Sequence, residues 1–166
     1  GDISLTQRLE VLKLLNSSSS VEGIEPDLLN AATDLPNDPY FEYLWGLHNV
    51  GQSEGTIGAD IDMDRAWEYT KGSRDVVVAV LDTGVDLEHP DLRQNLWIND
   101  DEIAGNGLDD DQNGYIDDIY GFDFVSDDPE PWDDSGHGTH VAGTIGASGG
   151  NGRGIVGVAP QVSLMA

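Results

Sequence analysis

The chain contains no cysteine, which excludes a disulfide framework, a thiolate metal site and a thiol nucleophile. It is also poor in positive charge: 7 Lys and Arg stand against 32 Asp and Glu, for a formal net charge of −25. Binding to nucleic acid rests on clustered cations that displace counterions, so that class of partner is excluded. No run approaches the ~18 consecutive apolar residues of a membrane span, and no stretch reads as a signal peptide. What is present is an ordinary apolar fraction, 38% of 166 residues, enough for one domain with a real core and unlike a disordered or fibrous chain.

The acids are unevenly spread. Between Asp100 and Asp134 there is no Lys or Arg, while Asp recurs among Gly, Asn and Pro. This composition predicts loop over about 99–134, a self-repelling segment unless a cation neutralises it. Leu5, Leu9, Leu12 and Leu15 fall at helical spacing and predict an amphipathic helix ended by Ser17–Ser20. Val21–Leu29 predicts a strand followed by a loop. Pro36-Asn37-Asp38-Pro39 marks a boundary, because each proline biases the residue before it away from the helix. Beyond it, Ile61–Thr70 predicts a short helix. Val76–Leu81, a β-branched run bounded by Asp75 and Asp82, predicts a strand buried on both faces. Gly138–Gly146, with Val141, Ala142 and Ile145 on one side, predicts a tightly packed helix, and Val162–Ala166 a second buried strand. Buried strands alternating with helices indicate an α/β architecture with a parallel sheet.

Two features carry candidate chemistry. Asp82, in Val80-Leu81-Asp82-Thr83-Gly84-Val85-Asp86, lies at the carboxyl end of a predicted strand, where open α/β sheets place their sites. Taken alone it reads equally as a turn aspartate closing the strand. His137 stands between Gly136 and Gly138 at a predicted helix start. There the helix dipole lowers an imidazole pKa and a nearby carboxylate raises it, a balance suited to a general base. Taken alone, a structural histidine is the commoner reading. His140 lies one helical turn on, and a His-x-x-His pair binds metal only with a third ligand.

In combination the two segments say more. Asp82-Thr83-Gly84-Val85-Asp86, then His89-Pro90-Asp91, then His137-Gly138-Thr139-His140-Val141-Ala142-Gly143-Thr144, in this order and spacing, resemble the subtilisin-like serine proteases. Pro36–Phe41, Trp45–Asn49, Ala66-Trp67 and Gly157–Pro160 match landmarks of their thermitase-like members. The resemblance implies a three-layer, parallel-sheet fold, of which residues 36–166 form the N-terminal half of the catalytic domain. Residues 1–35 then correspond to the end of an inhibitory propeptide and a linker, with processing between about Ala31 and Asp38. It further implies a secreted endopeptidase acting on proteins and peptides, with its own propeptide as intramolecular inhibitor. Asp82 orients the His137 imidazole, His137 acts as base toward a serine, and His140 is a buried structural histidine. The serine segment of such enzymes, a Gly-Thr-Ser motif, is not found among the 166 residues. By themselves they are expected to be inactive and not to form a stable monomer.

The resemblance also implies Ca2+. A first site draws on Asp38, Asp91 and Asn151, with carbonyl oxygens of Gly149, Arg153 and Ile155; such mixed hard-oxygen ligands suit calcium. A second site is suggested by Asp109, Asp111 and Asn113 at alternate positions followed by Gly114, as in the first half of an EF-hand loop, with Tyr115 offering its carbonyl. The twelfth position is Tyr120 rather than Glu, so Asp117 or Asp118 has to stand in for the missing carboxylate. The alternative function is a catalytically inactive, calcium-binding interaction domain of the same fold.

Overall fold

A computed structural model describes residues 35–166. The Leu5–Leu15 helix, the Val21–Leu29 strand and the propeptide reading of residues 1–34 lie outside the described residues.

Two strands form the sheet. β1 (Val77–Ala79) pairs in parallel with β2 (Ser163–Met165), Val78 opposite Leu164. Parallel strands cannot be joined by a tight turn, and here the crossover carries Asp82, His137 and all the candidate cation ligands except Asp38. On the other side of β2, Leu96 forms a parallel bridge to Leu164. β2 is therefore central, and Leu164 is fully buried. The exposed residues Val76, Val77 and Leu81 depart from the expectation of a strand buried on both faces. A sheet of two short strands has an uncovered edge and face at β1, so only Val80 at its end is buried in the core.

Helix α2 (His137–Gly146) covers β2 with its small residues. A Cβ on Gly146 would fall 3.0 Å from Val162 and 3.2 Å from Leu164, so glycine sets how near the helix lies to the strand. Val80, Val85, Leu92, Leu96, Ala142, Ala147, Val162 and Leu164 form the resulting core. A second cluster holds Phe41, Leu47, Met63, Trp67 and Val156. It includes the start of α1 (Met63–Ala66), shorter than the predicted Ile61–Thr70 because Asp62 takes a left-handed conformation that starts the helix late. Trp67 donates its indole N–H to the Val158 carbonyl at 2.9 Å, tying this cluster to the chain that leads into β2.

Asn95 is fully buried and holds the C-terminal end of α2. Its Nδ2 donates to the Gly146 carbonyl at 2.7 Å and to the Pro160 carbonyl at 2.8 Å. Gly146 is in the last turn, where carbonyls lack intrahelical partners. Asn95→Leu keeps the branched heavy-atom shape, adds some bulk, and removes both donors. It is expected to cost about 2–5 kcal/mol, since each orphaned buried group costs about 1–3 kcal/mol; urea denaturation measures it.

The acidic segment is loop, as predicted: among the described residues it holds turns and one isolated bridge, Asp123 with Asp128. Single backbone bonds tie it to the rest, from Ala166 N–H to the Tyr120 carbonyl and from Val85 N–H to the Pro131 carbonyl, both at 2.9 Å, and side chains add to its order. Carboxylates accept backbone N–H groups, and Tyr115, Phe122 and Phe124 pack together with ring centroids 4.7–5.6 Å apart.

Candidate active site and cation loops

β1 runs on through Val80 and Leu81 to Asp82, and the chain then turns at Thr83-Gly84. Gly84 has φ +103, and a Cβ there would come within 2.5 Å of the Trp132 carbonyl oxygen. Gly138, in the first turn of α2, is tighter still. A Cβ would lie 2.1 Å from the Gly84 carbonyl oxygen and 3.2 Å from the Asp82 Cβ. These two glycines let the helix start press directly on the aspartate loop. Gly138→Ala therefore has to separate α2 from Asp82. The expected result is a fall in the thermal midpoint together with a longer Asp82–His137 contact, read from the thermal transition and from His137 imidazole shifts.

Asp82 and His137 meet. Asp82 Oδ1 lies 2.6 Å from His137 Nδ1 and also accepts the Thr83 backbone N–H at 2.8 Å. The Asp82 side chain is 16% exposed and the imidazole 69%, so the carboxylate is sheltered while the ring presents its other edge to solvent. Nε2 makes no hydrogen bond among the described residues. The hydrogen bond from His137, then the Thr83 N–H, lower the Asp82 pKa. The hydrogen bond to Asp82, followed by its negative charge, raises the His137 pKa above 6.5 despite some desolvation, with a smaller push from Asp133. The carboxylate thus wins over desolvation. The pair's contribution to stability holds between the lowered Asp82 pKa and the raised His137 pKa. It is lost above this window as His137 deprotonates and below it as Asp82 protonates. Chemically the pair is a base: a carboxylate fixes the Nδ1–H tautomer and aims the Nε2 lone pair outward.

His140 is exposed, against the expectation of a buried histidine. Val141, Ala142 and Ile145 turn toward the core, which leaves His140 on the outer side of α2. No third ligand joins His137 and His140 among the described residues, so the pair is no metal site.

Of the first candidate calcium site, the side chains of Asp38, Asp91 and Asn151 come together, with loop 149–155 around them. Asp38 is 4% and Asp91 2% exposed, and neither has an ion-pair partner among the described residues. Asp38 accepts Gly150 N–H at 2.7 Å and Asn151 N–H at 3.3 Å. Asp91 accepts Asn151 Nδ2 at 3.2 Å and Ile155 N–H at 3.0 Å. Gly154 passes so close that a Cβ would fall 1.8 Å from Asp91 Oδ2. Asn151 Oδ1 accepts the Arg153 N–H at 2.8 Å, so the loop 149–155 is coiled around these carboxylates. Backbone amides ease the burial of two negative charges without neutralising them. This donor set, two carboxylates and an amide oxygen within a loop, fits a hard cation.

The second candidate site gathers partly as predicted. Asp109 and Asp111 have carboxylate oxygens within 4.8 Å of each other and of Glu102. Asn113 donates its N–H to both aspartates and its Nδ2 to Asp111 and Asp118. Asn99 also bridges Asp111 and Asp118 through Nδ2, at 3.0 and 2.9 Å, and its bond is the main cause that lowers the Asp111 pKa. Asp117 goes elsewhere: both its oxygens accept N–H groups of Asn106 and Gly107. Tyr115 commits its ring to the aromatic cluster and its N–H to Asn113 Oδ1. The carboxylate that sequence reasoning missed is Glu102, 7% exposed, which accepts N–H groups from Asp110, Asp111 and Asp117. A signal existed. An EF-hand-like loop wants a glutamate, the segment 99–134 has only Glu102 and Glu130, and the expectation looked only downstream.

Comparison with known proteins places the chain in a family. Residues 73–166 match the pattern described as the Subtilase family. The chain is 41% identical over 130 residues to Subtilisin-like protease 1 of Plasmodium berghei, covering 78% of this chain and 20% of that protein. It is 38% identical over 157 residues to a Thermophilic serine proteinase of a Bacillus species, covering 94% of this chain and 31% of that protein. Among solved structures, the Aeromonas sobria serine protease, in complex with its chaperone, superposes with a TM-score of 0.59 at 26% identity. That match covers 78% of this chain and 19% of the other. The chain thus spans about a fifth to a third of the length of these relatives.

Proposed function

The chain belongs to the subtilase family, and on that premise we propose that it supplies the aspartate and histidine of an Asp-His-Ser endopeptidase. The observation that carries the reading is the 2.6 Å contact between Asp82 and His137, with Nε2 unengaged on an exposed ring edge. The nucleophilic serine comes from sequence other than these 166 residues, whose serines fit no such motif. His137 Nε2 takes the serine hydroxyl proton as the oxygen attacks the scissile carbonyl. Asp82 stabilises the imidazolium, and His137 then returns the proton to the leaving amine. Substrates are proteins and peptides, and residues 1–35 act as the tail of an inhibitory propeptide in a secreted zymogen. N-terminal sequencing of secreted mature protein tests the last point: a start between about Ala31 and Asp38 supports it, and a start at or before Val21 contradicts it.

Calcium has a structural role in this proposal. Asp38, Asp91 and Asn151, with loop 149–155, hold one ion; Glu102, Asp109, Asp111 and Asn113, with Asp118 behind them, hold another. The ions neutralise acidic loops on either side of the catalytic pair and take no part in proton transfer. The two buried carboxylates, which have no ion-pair partner among the described residues, suit calcium equally in a second reading, an inactive calcium-binding domain. Activity of the intact protein separates the two: His137→Ala abolishes peptide hydrolysis under the first reading, while under the second there is no hydrolysis to abolish.

A further inference from the structure

From the network of hydrogen bonds around Asp133 we infer that this aspartate is a positioning residue for the catalytic pair, coupling the Asp82 loop to the start of α2 through the Thr83 hydroxyl. The inference rests on the reading of Asp82 and His137 as catalytic. Asp133 touches neither of them. Its Oδ1 accepts from Thr83 Oγ1 at 2.8 Å and from the N–H groups of Ser135 and Gly136 at 3.0 and 2.8 Å. Its Oδ2 accepts from the N–H and hydroxyl of Thr139 at 2.8 and 2.5 Å. The carboxylate is thus shared between the segment before Asp86 and the first turn of α2, over 50 residues apart in sequence.

The Thr83 hydroxyl is the joint. It has one proton to give and two lone pairs. By taking that proton, Asp133 leaves the oxygen to accept the Gly138 N–H at 3.0 Å. Gly138 follows His137, and Thr83 follows Asp82. The Thr83 N–H in turn donates to Asp82 Oδ1, the oxygen that His137 Nδ1 meets. One carboxylate therefore fixes the residue after the aspartate against the residue after the histidine. Thr139 extends the same network, its hydroxyl accepting the Asp86 N–H at 2.9 Å. The helix gives a reason for this device. Its N-cap is Gly136, which has no side chain to offer, so the orphan N–H groups of Gly138 and Thr139 are satisfied by Thr83 and Asp133 instead. Partial burial works against charge on Asp133, but the hydrogen bonds from Thr139, Gly136 and Thr83 outweigh it and hold its carboxyl well below the usual carboxylate range. It is ionised throughout the range in which His137 titrates. A misplacement of about 1 Å at a catalytic group can cost about 100-fold in rate, and among the described residues Asp133 is the carboxylate that bonds both segments at once, to Thr83 and to Thr139.

The test uses the intact protein and the variants Asp133→Asn, Thr83→Val, Thr83→Ser, the Asp133→Asn/Thr83→Val double variant, and Asp82→Asn as reference. Peptide hydrolysis is followed against pH, and thermal midpoints are recorded. Asp133→Asn and Thr83→Val are each expected to lower kcat by about 10–100-fold with KM little changed. Both are expected to move the acid limb of the kcat profile downward as the Asp82–His137 contact loosens. The double variant loses no more than the worse single one, and Thr83→Ser recovers most of the loss. A lower midpoint with kcat and acid limb unchanged in Asp133→Asn makes the residue a helix cap only and overturns the inference. If Asp133→Asn fails to fold, equal activity of Thr83→Val and Thr83→Ser overturns it as well. Asp82→Asn retaining full activity contradicts the underlying catalytic reading instead, so the two failures are distinct.

Discussion

Asp82→Asn in the intact protein is expected to lower kcat by about four orders of magnitude while leaving KM nearly unchanged. The substitution preserves size and one hydrogen-bonding oxygen, so the Thr83 N–H at 2.8 Å keeps its acceptor and the loop its shape. What is lost is the negative charge 2.6 Å from His137 Nδ1. Asparagine can present its amide N–H to Nδ1, which selects the tautomer with the proton on Nε2, and that tautomer cannot accept a proton from serine. Even with the correct tautomer, the imidazolium formed in the reaction is no longer compensated. The pH dependence moves in the same direction. His137 must be neutral to act as base, and its pKa is held above 6.5 chiefly by the hydrogen bond to Asp82. The acid limb of the activity profile therefore lies above the ordinary imidazole range in the wild type and falls in Asp82→Asn. Steady-state kinetics from mildly acidic to mildly alkaline pH, with a peptide substrate, measures both effects.

The second large effect concerns calcium. Asp38 and Asp91 are almost fully buried with no ion-pair partner among the described residues, an arrangement that is costly for two carboxylates unless a cation joins them. Chelation of the intact protein is expected to lower its thermal midpoint, the stabilisation by an ion at 100 times its dissociation constant being about 2.7 kcal/mol per site. Asp91→Asn gives a sign change that ordinary packing does not predict. With excess calcium it destabilises, because a charged ligand is gone. With chelator present it costs far less or stabilises, because one of two crowded buried charges has been removed. Equal destabilisation in both conditions contradicts the first site. Glu102→Gln asks the same question of the acidic loop, where Asp109 and Asp111 converge on that glutamate.

Much of this was legible in the sequence because it is local chemistry. Of the glycines on the two sides of His137, Gly138 packs against Gly84 and Asp82, while Gly136 has open space around it and serves its positive φ instead. The run of acids without Lys or Arg announced a loop held by something other than a core. The strand Val76–Leu81 was placed correctly, but its burial was not. Periodicity reports what a strand can cover, whereas Val77 and Leu81 are exposed for want of neighbours. His140 failed for another reason: its burial was carried over from the resemblance, whereas Val141, Ala142 and Ile145 make up the face of α2 that packs on the core and His140 lies off it. Glu102 was missed because it stands upstream of the EF-hand-like stretch, where a rule for the twelfth position does not reach. Asp133 was missed because it acts through a tertiary contact, reaching Thr83 fifty residues back, and no short spacing rule contains such a partner.

The most direct test of the account is the titration of the His137 imidazole, followed by NMR in the intact protein with labelled histidine, for wild type and Asp82→Asn. The account predicts a wild-type pKa above 6.5, a protonated Nδ1 in the neutral form, and a clear fall of that pKa in the variant. A His137 that titrates at its ordinary value in both proteins would mean that the two side chains are neighbours without being a catalytic pair.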